Sequence, residues 1–341
     1  MMLRFTIFLT ALLTISACAI APDPQHPQFT NLNTGEVIDI LLDPQVFPIA
    51  VNAKQHPLPQ DLTERRSEFN ARIASLSSEA EPVKDIENIQ VNVDDGQVSI
   101  RLYRPRSGTL PVLVYAHGGG FDKGSPASYD TVLRSLANAS GIVIIGVDYH
   151  LAPEAKYPTQ INETYDVLKW VTANAPALHI DPRHVMVGGD DAGGTIAAEV
   201  ARRAHDEHGP KIAKQILIYP LMDMSLNSDS WAAFSKGPWL TRDMTLQETM
   251  EFYLPKNTDP KEESVSPVLI TNVAGMPPAA IFIAQFDPLR DEGRAYAEHL
   301  KVDGVAVNIK TYPGMIHDFM LMGGKVDSAK ELINDIAASL K

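Results

Sequence analysis

The sequence predicts an α/β protein whose central sheet is mostly parallel and covered by helices on both faces. Three observations predict it. From Val91 onward, apolar runs alternate with helical patterns to the end of the chain, as in proteins built from strand–helix–strand units. Several of those runs are continuous rather than alternating, among them Pro111-Val112-Leu113-Val114-Tyr115-Ala116 and Ala280-Ile281-Phe282-Ile283-Ala284, which suits strands buried on both sides. The third is a junction. The strand His184–Gly188 runs into Gly189-Asp190-Asp191-Ala192-Gly193-Gly194 and then into a small-residue helix, Thr195-Ile196-Ala197-Ala198. Strand, glycine-flanked turn and helix form a sharp elbow in which glycine tolerates strain and close packing.

The elements follow in chain order. Residues 1–20 read as a targeting segment: Arg4 supplies a positive start, and Phe5–Ile15 is an apolar run of eleven residues, too short to span a bilayer. The run ends in Ile15-Ser16-Ala17-Cys18, a lipobox-like pattern with Cys18 as the lipid acceptor; Ala17-Cys18-Ala19 also fits ordinary cleavage after Ala19. Cys18 is the only cysteine, so no internal disulfide can form. Residues 21–90 begin with a proline-rich tether and include Leu62–Leu76, where Leu62, Phe69, Ile73 and Leu76 recur at helical spacing toward a core. Gln97–Tyr103 alternates as a half-buried strand does. The α/β domain occupies 91–341; the helix after the elbow ends near Gly209-Pro210. A segment at about 222–265 differs in composition, holding Trp231, Trp239, Phe252 and Tyr253. It reads as an apolar ligand pocket or as a lid packed on the domain.

Composition narrows the function. The 341 residues are 45% hydrophobic and 21% charged, enough for one large domain and a cap. A net charge of −13 argues against a nucleic-acid partner. No phosphate-binding or dinucleotide fingerprint appears, and the ten histidines form no ligand set. Neither a metal nor another cofactor is expected.

The chemistry gathers at four places. The strand ending at Ala116 leads into His117-Gly118-Gly119-Gly120-Phe121, a glycine loop whose N–H groups can hold an oxyanion. The elbow places Asp191 at the nucleophile position. Asp287 follows the strand Ala280–Ala284, and His317 follows Val307–Lys310. The order is elbow, acid, base.

With these motifs the chain resembles the hormone-sensitive-lipase family of α/β-hydrolases, especially its bacterial carboxylesterase branch. The matching stretches are 117–121, 148–154, 189–194, 286–293 and 312–319, within roughly 90–341. The resemblance implies an α/β-hydrolase fold with a helical cap formed by the N-terminal helices and the 222–265 insertion. It implies a site of residue 191, Asp287 and His317, with an oxyanion hole from Gly119, Gly120 and Ala192. Phe121, Trp231, Trp239 and Phe252 are the expected substrate contacts. The substrate would be a short- to medium-chain carboxylic ester. A lipid on Cys18 and a second copy of the chain are further candidate partners. The location would be bacterial and exported, periplasmic or anchored to the outer membrane. The chain departs from the family at Asp191 (usually Ser), His150 (usually Arg), Thr195 (usually Asn) and Asp318 (usually Gly).

Simpler roles are assigned where they suffice. Asp190 is expected to accept structural hydrogen bonds, and His117 to anchor its loop. His150 has no evident partner. Asp291 is the rival to Asp287. Asp318 is either a solvated charge or a perturbation of the base. The decisive departure is Asp191. A carboxylate attacking an ester gives a tetrahedral adduct that reaches an anhydride only by expelling alkoxide, and it reverts because carboxylate leaves more readily. It also opposes a developing oxyanion and, with Asp287, favours a protonated histidine. Three readings follow: an esterase scaffold impaired at its nucleophile, a non-catalytic ligand-binding homologue, or an Asp-nucleophile hydrolase of haloalkanes or epoxides.

Overall fold

The computed structural model describes residues 28–30, 37–39, 41–237 and 239–341. The targeting segment and Cys18 lie outside them. Two short antiparallel strands, β1 (Gln28–Thr30) and β2 (Val37–Asp39), precede helices α1 (Phe47–Gln55) and α2 (Leu62–Leu76). Asp61 caps α2 by accepting from the Glu64 N–H at 3.0 Å, which satisfies one of the helix's free amides. Phe69 and Ile73 on its apolar stripe are buried.

An eight-stranded sheet follows: β3 (Asp85–Val93), β4 (Gly96–Arg104), β5 (Leu110–Ala116), β6 (Val143–Asp148), β7 (Ile180–Asp190), β8 (Gln215–Ile218), β9 (Ala279–Phe286) and β10 (Val307–Ile316). Its order is β10-β9-β8-β7-β5-β6-β4-β3; β4 runs antiparallel to both its neighbours, β3 and β6, and the remaining pairs are parallel. The continuous apolar runs have the reason the sequence suggests. Along β5, Val112 and Val114 enter one core while Leu113 and Tyr115 enter the other. Helices α4 (Thr159–Ala173), α5 (Asp191–Asp206) and α8 (Arg290–Val302) pack on the first face, and α3 (Asp130–Ser140) and α9 (Asp327–Ser339) on the second. The insertion folds as α6 (Asp229–Phe234), α7 (Arg242–Leu246) and a π-helical turn, Gln247–Tyr253.

This architecture brings the site together. Strands β5, β7, β9 and β10 are parallel, so their C-terminal ends share one edge. The glycine loop, Asp191, Asp287 and His317 each follow one of those ends, where open α/β sheets place their ligands.

Candidate active site

The elbow is built by close approach. Asp191 has φ 50°, in the left-handed region, and starts α5 directly from β7. A methyl group on Gly193 would run into the carbonyls of Ala116 and His117 on the neighbouring strand end, so only glycine lets α5 descend so near β5. The adjacent aspartates serve different ends. Asp190 is fully buried and accepts from the Tyr115 hydroxyl at 2.7 Å, the Tyr129 hydroxyl at 2.8 Å and the Gly118 N–H at 2.9 Å. Burial is the main reason its carboxyl is lifted to about 8. It pins the glycine loop to the elbow, the structural role its position suggested. His117 anchors the same loop: it stacks on Tyr149 with centroids 4.2 Å apart, and burial holds it down at about 4, so it is neutral.

Asp191 points into the loop it faces. Its Oδ2 accepts from the Gly119 N–H at 3.0 Å and the Gly120 N–H at 2.8 Å. Positive φ values of 101° and 59° at these glycines aim both amides at one point. That point is where an acyl oxygen would be held; here a carboxylate oxygen fills it. The other oxygen, Oδ1, lies 3.6 Å from His317 Nε2.

His317 is buried and carries three carboxylates around it. Its Nδ1 meets Asp287 Oδ2 at 2.9 Å, and Asp287 Oδ1 is fixed by the Leu289 N–H at 2.8 Å. Its Nε2 faces Asp318 Oδ1 at 3.4 Å as well as Asp191. Burial opposes protonation, but the charges of Asp287, Asp318 and Asp191 outweigh it and raise the imidazole from 6.5 to about 10. The rival acid is elsewhere: Asp291 pairs with Arg290 at 2.7 Å and Arg294 at 3.6 Å. Asp318 is no solvated charge. It is buried, and Trp239 Nε1 donates to its Oδ2 at 2.9 Å.

The cap closes over this centre. The remaining cavity is small, about 20 Å³, and is roofed by Leu58, Phe69, Arg72, Trp239, Leu240 and Met244. Outside the roof, Arg72 and Trp239 also line open clefts of about 450 and 580 Å³. Of the expected substrate contacts, only Trp239 lines the cavity. Phe121 is fully buried and stacks on Tyr253 with centroids 3.6 Å apart; a left-handed backbone at φ 66° turns it away from the hole. Trp231 is buried and donates to Glu292 at 3.3 Å, and Phe252 lies under the Arg65 guanidinium at 5.7 Å. These three do not line this cavity. Ala192 follows Asp191 in the first turn of α5.

Sequence reasoning passed over Arg72, Lys123 and Glu248, which also line the cavity. Lys123 Nζ meets Glu248 at 2.5 Å and Asp122 at 3.0 Å, and Arg65 reaches Asp122 at 3.3 Å and Gln247 at 2.8 Å. This buried network joins α2, the glycine loop and the π-helical turn. One signal was available: Arg65 and Arg72 flank Phe69 at helical spacing on the stripe α2 turns inward. His150, which had no evident partner, faces Glu163 at 2.5 Å. Thr195 donates its hydroxyl to the Leu221 carbonyl. Among the described residues, no group of three or more His, Cys, Asp or Glu side chains is arranged to hold a metal ion.

A family model described as the alpha/beta hydrolase fold matches residues 113–321. The chain belongs to the α/β-hydrolase family. Among curated members, this α/β-hydrolase is 35% identical over 325 residues to the carboxylesterase NlhH of Mycobacterium tuberculosis, covering 93% of this chain and 98% of that one. It is 34% identical over 284 residues to the ethyl acetate hydrolase of Pseudomonas putida, covering 81% and 88%. Among solved structures, it matches the hyperthermophilic esterase of Pyrobaculum calidifontis with a TM-score of 0.84 and 35% identity, over 88% of this chain and 98% of that one. The family and its relatives make this an α/β-hydrolase of the carboxylesterase type.

Proposed function

We propose that the chain is a carboxylesterase scaffold for short- to medium-chain esters whose activity is held down by the side chain at its own nucleophile position. One observation carries the reading: the carboxylate of Asp191 accepts both N–H groups of the oxyanion hole, at 3.0 and 2.8 Å. A substrate carbonyl must displace an anion held by charge-assisted hydrogen bonds, which are roughly twice as strong as neutral ones. If it did so, the tetrahedral adduct formed would expel the carboxylate in preference to the alkoxide. The base is unsuited too, because an imidazole raised to about 10 is protonated at neutral pH.

Asp191→Ser tests this. Serine is shorter, leaves the hole free and removes one of the three charges around His317. Strong hydrolysis of p-nitrophenyl acetate or butyrate is expected from the variant. The original chain should retain only what binding and the loop supply, roughly 10³–10⁴-fold over water in triad deletions of other hydrolases. A folded Asp191→Ser protein inactive on both esters would refute the reading.

A second reading has an observation of its own. With Oδ2 held by two amides, Oδ1 is the free oxygen, as attack on a saturated carbon would need. The leaving group then lacks donors. The indole N–H groups of Trp239 and Trp231 are committed to Asp318 and Glu292, so this reading ranks below the first. Export, with lipid attachment at Cys18, completes the proposal; it rests on the charged start, apolar run and lipobox of residues 1–20, and metabolic labelling with palmitate tests it.

A further inference from the structure

The carboxylate of Asp318 is held in the active site without any part in the acid–base–nucleophile scheme. Its backbone takes the left-handed conformation, φ 62°, in which an aspartate is less at ease than glycine. Its side chain is buried, Oδ2 accepts from the cap's Trp239 at 2.9 Å, and Oδ1 has no hydrogen-bond partner. That unpartnered oxygen stands 3.4 Å from Nε2 of His317. This is the nitrogen that must take the nucleophile's proton, since Nδ1 is committed to Asp287.

We propose that Asp318 is a positioning residue for the base: clamped by Trp239, it stands across Nε2 of His317, retains a proton there, and confines ester hydrolysis by this scaffold to alkaline pH. In a serine form, the Oγ–H bond breaks as Oγ bonds to the ester carbon, and the proton passes to the Nε2 lone pair. When Nε2 already bears a proton there is no acceptor. A neutral imidazole would also turn that lone pair toward the Asp318 oxygen, whereas an imidazolium turns an N–H toward it. The geometry therefore favours the protonated base.

The other groups facing the base do not cancel this. Asp287 after β9 and residue 191 at the start of α5 act in the same sense as Asp318. Tyr219 after β8 packs edge-on against His317 with centroids 5.0 Å apart and is held far above its ordinary range by burial, hence neutral. Burial raises the Asp318 carboxyl above its ordinary range, and the charge of His317, the Trp239 hydrogen bond and, least, the charge of Lys123 oppose that rise. Asp190 lies behind Tyr115 and Tyr129.

The inference rests on the esterase reading for its consequence but not for its geometry, and two measurements separate them. The first needs no activity: NMR titration of the His317 ring in the full chain, compared with Asp318→Asn and Asp318→Gly. Both substitutions suit a left-handed backbone, and the His317 midpoint should fall by about one pH unit or more. Trp239→Phe, which removes the clamp, should lower it by less. The second is the pH profile of kcat/KM for p-nitrophenyl acetate in Asp191→Ser and in Asp191→Ser with Asp318→Gly. The acid limb should move down by a similar amount, leaving the alkaline plateau within a fewfold. An unmoved midpoint in both Asp318 variants, or an unmoved acid limb, overturns the proposal. A shifted NMR midpoint with an inactive serine form would uphold Asp318's action on the base and refute the esterase reading.

Discussion

The edge of the sheet and the cap over it are both built around charged side chains, yet they hold them differently. At the sheet edge each functional group is placed by the backbone. Asp191, Asp287 and His317 follow the ends of β7, β9 and β10, and the hole is made of the main-chain amides of Gly119 and Gly120. In the cap the groups are placed by one another. Arg65, Asp122, Lys123, Gln247 and Glu248 hold together across α2, the glycine loop and the π-helical turn. The first region is fixed by topology, so one changed side chain alters its chemistry without altering its shape. The second is fixed by side-chain identity, so substitution there changes shape first.

The sharpest test of that contrast removes chemistry alone. In the Asp191→Ser background, Asp287→Asn and His317→Ala should each cut kcat for p-nitrophenyl butyrate by roughly 10⁴-fold, by analogy with measured triads, with the folded state retained. Asp291→Asn, whose partners are Arg290 and Arg294, should change kcat by no more than about threefold, the scale of a surface ion pair worth under ~1 kcal/mol. A larger loss from Asp291→Asn than from Asp287→Asn would break the assignment of the acid.

The same contrast decides what could be read from the sequence. The order elbow, acid, base and the glycine loop were legible because spacing along strands determines where they end. Asp287 stands against His317 and Asp190 against the glycine loop for the same reason. The cap was legible only as an element. Phe121, Trp231 and Phe252 are aromatic residues near a glycine loop or in an insertion, and nothing local tells a wall from a core. Phe121 turns inward because of a left-handed backbone, and Trp231 because Glu292, sixty-one positions on, accepts its indole N–H. The Lys123–Glu248 contact spans 125 positions. Periodicity carries no information about such pairings. Asp318 was visible as a departure from the family, but its burial under Trp239 depends on the cap having closed.

A backbone test belongs at the elbow. Gly193→Ala places a methyl group against the Ala116 and His117 carbonyls, and neither strand end can retreat from a packed sheet. A loss of about 4 kcal/mol or more is expected, within the range of severe overpacking and strain, measured by urea unfolding. A loss below ~1 kcal/mol would mean that the elbow is less rigid than the sheet beneath it.

The charge cluster makes its own prediction with pH. His317 is raised from 6.5 to about 10 in the folded chain. A group protonated more readily when folded contributes stability fully below the unfolded value and loses it as pH rises through the folded one. The stability difference between the original chain and His317→Ala should therefore be largest below about pH 6.5 and shrink steadily toward pH 10. Denaturant midpoints at several pH values check this. A difference that grows with pH would show that the three carboxylates do not hold an imidazolium.

In the cap, Trp231→Phe keeps most of the ring volume but leaves the buried Glu292 without one of its donors, the others being the N–H groups of Met222 and Asp223. The cost should be about 1–3 kcal/mol. In the serine form KM for p-nitrophenyl acetate should stay within about twofold, ~0.4 kcal/mol of binding, because the indole does not line the cavity. A large KM change with little loss of stability would return Trp231 to the substrate contacts.

The smallest effect expected is none at all, and it bears on whether the elbow carboxylate does chemistry. If Asp191 attacked a saturated carbon through Oδ1, a 1-haloalkane or a styrene-oxide-like epoxide would leave an alkyl ester on the protein. That ester would persist in His317→Ala, because alkylation needs no base whereas its hydrolysis needs activated water. Intact-mass spectrometry and mapping of residues 184–202 would find it. No adduct is expected. The nearby indole N–H of Trp239 already donates to Asp318. Displacing halide without a donor leaves the developing anion near Asp287 and Asp318, where it is least favoured. An adduct on Asp191 would mean that the cap opens far enough to free Trp239, and the Asp-nucleophile reading would then outrank the esterase one.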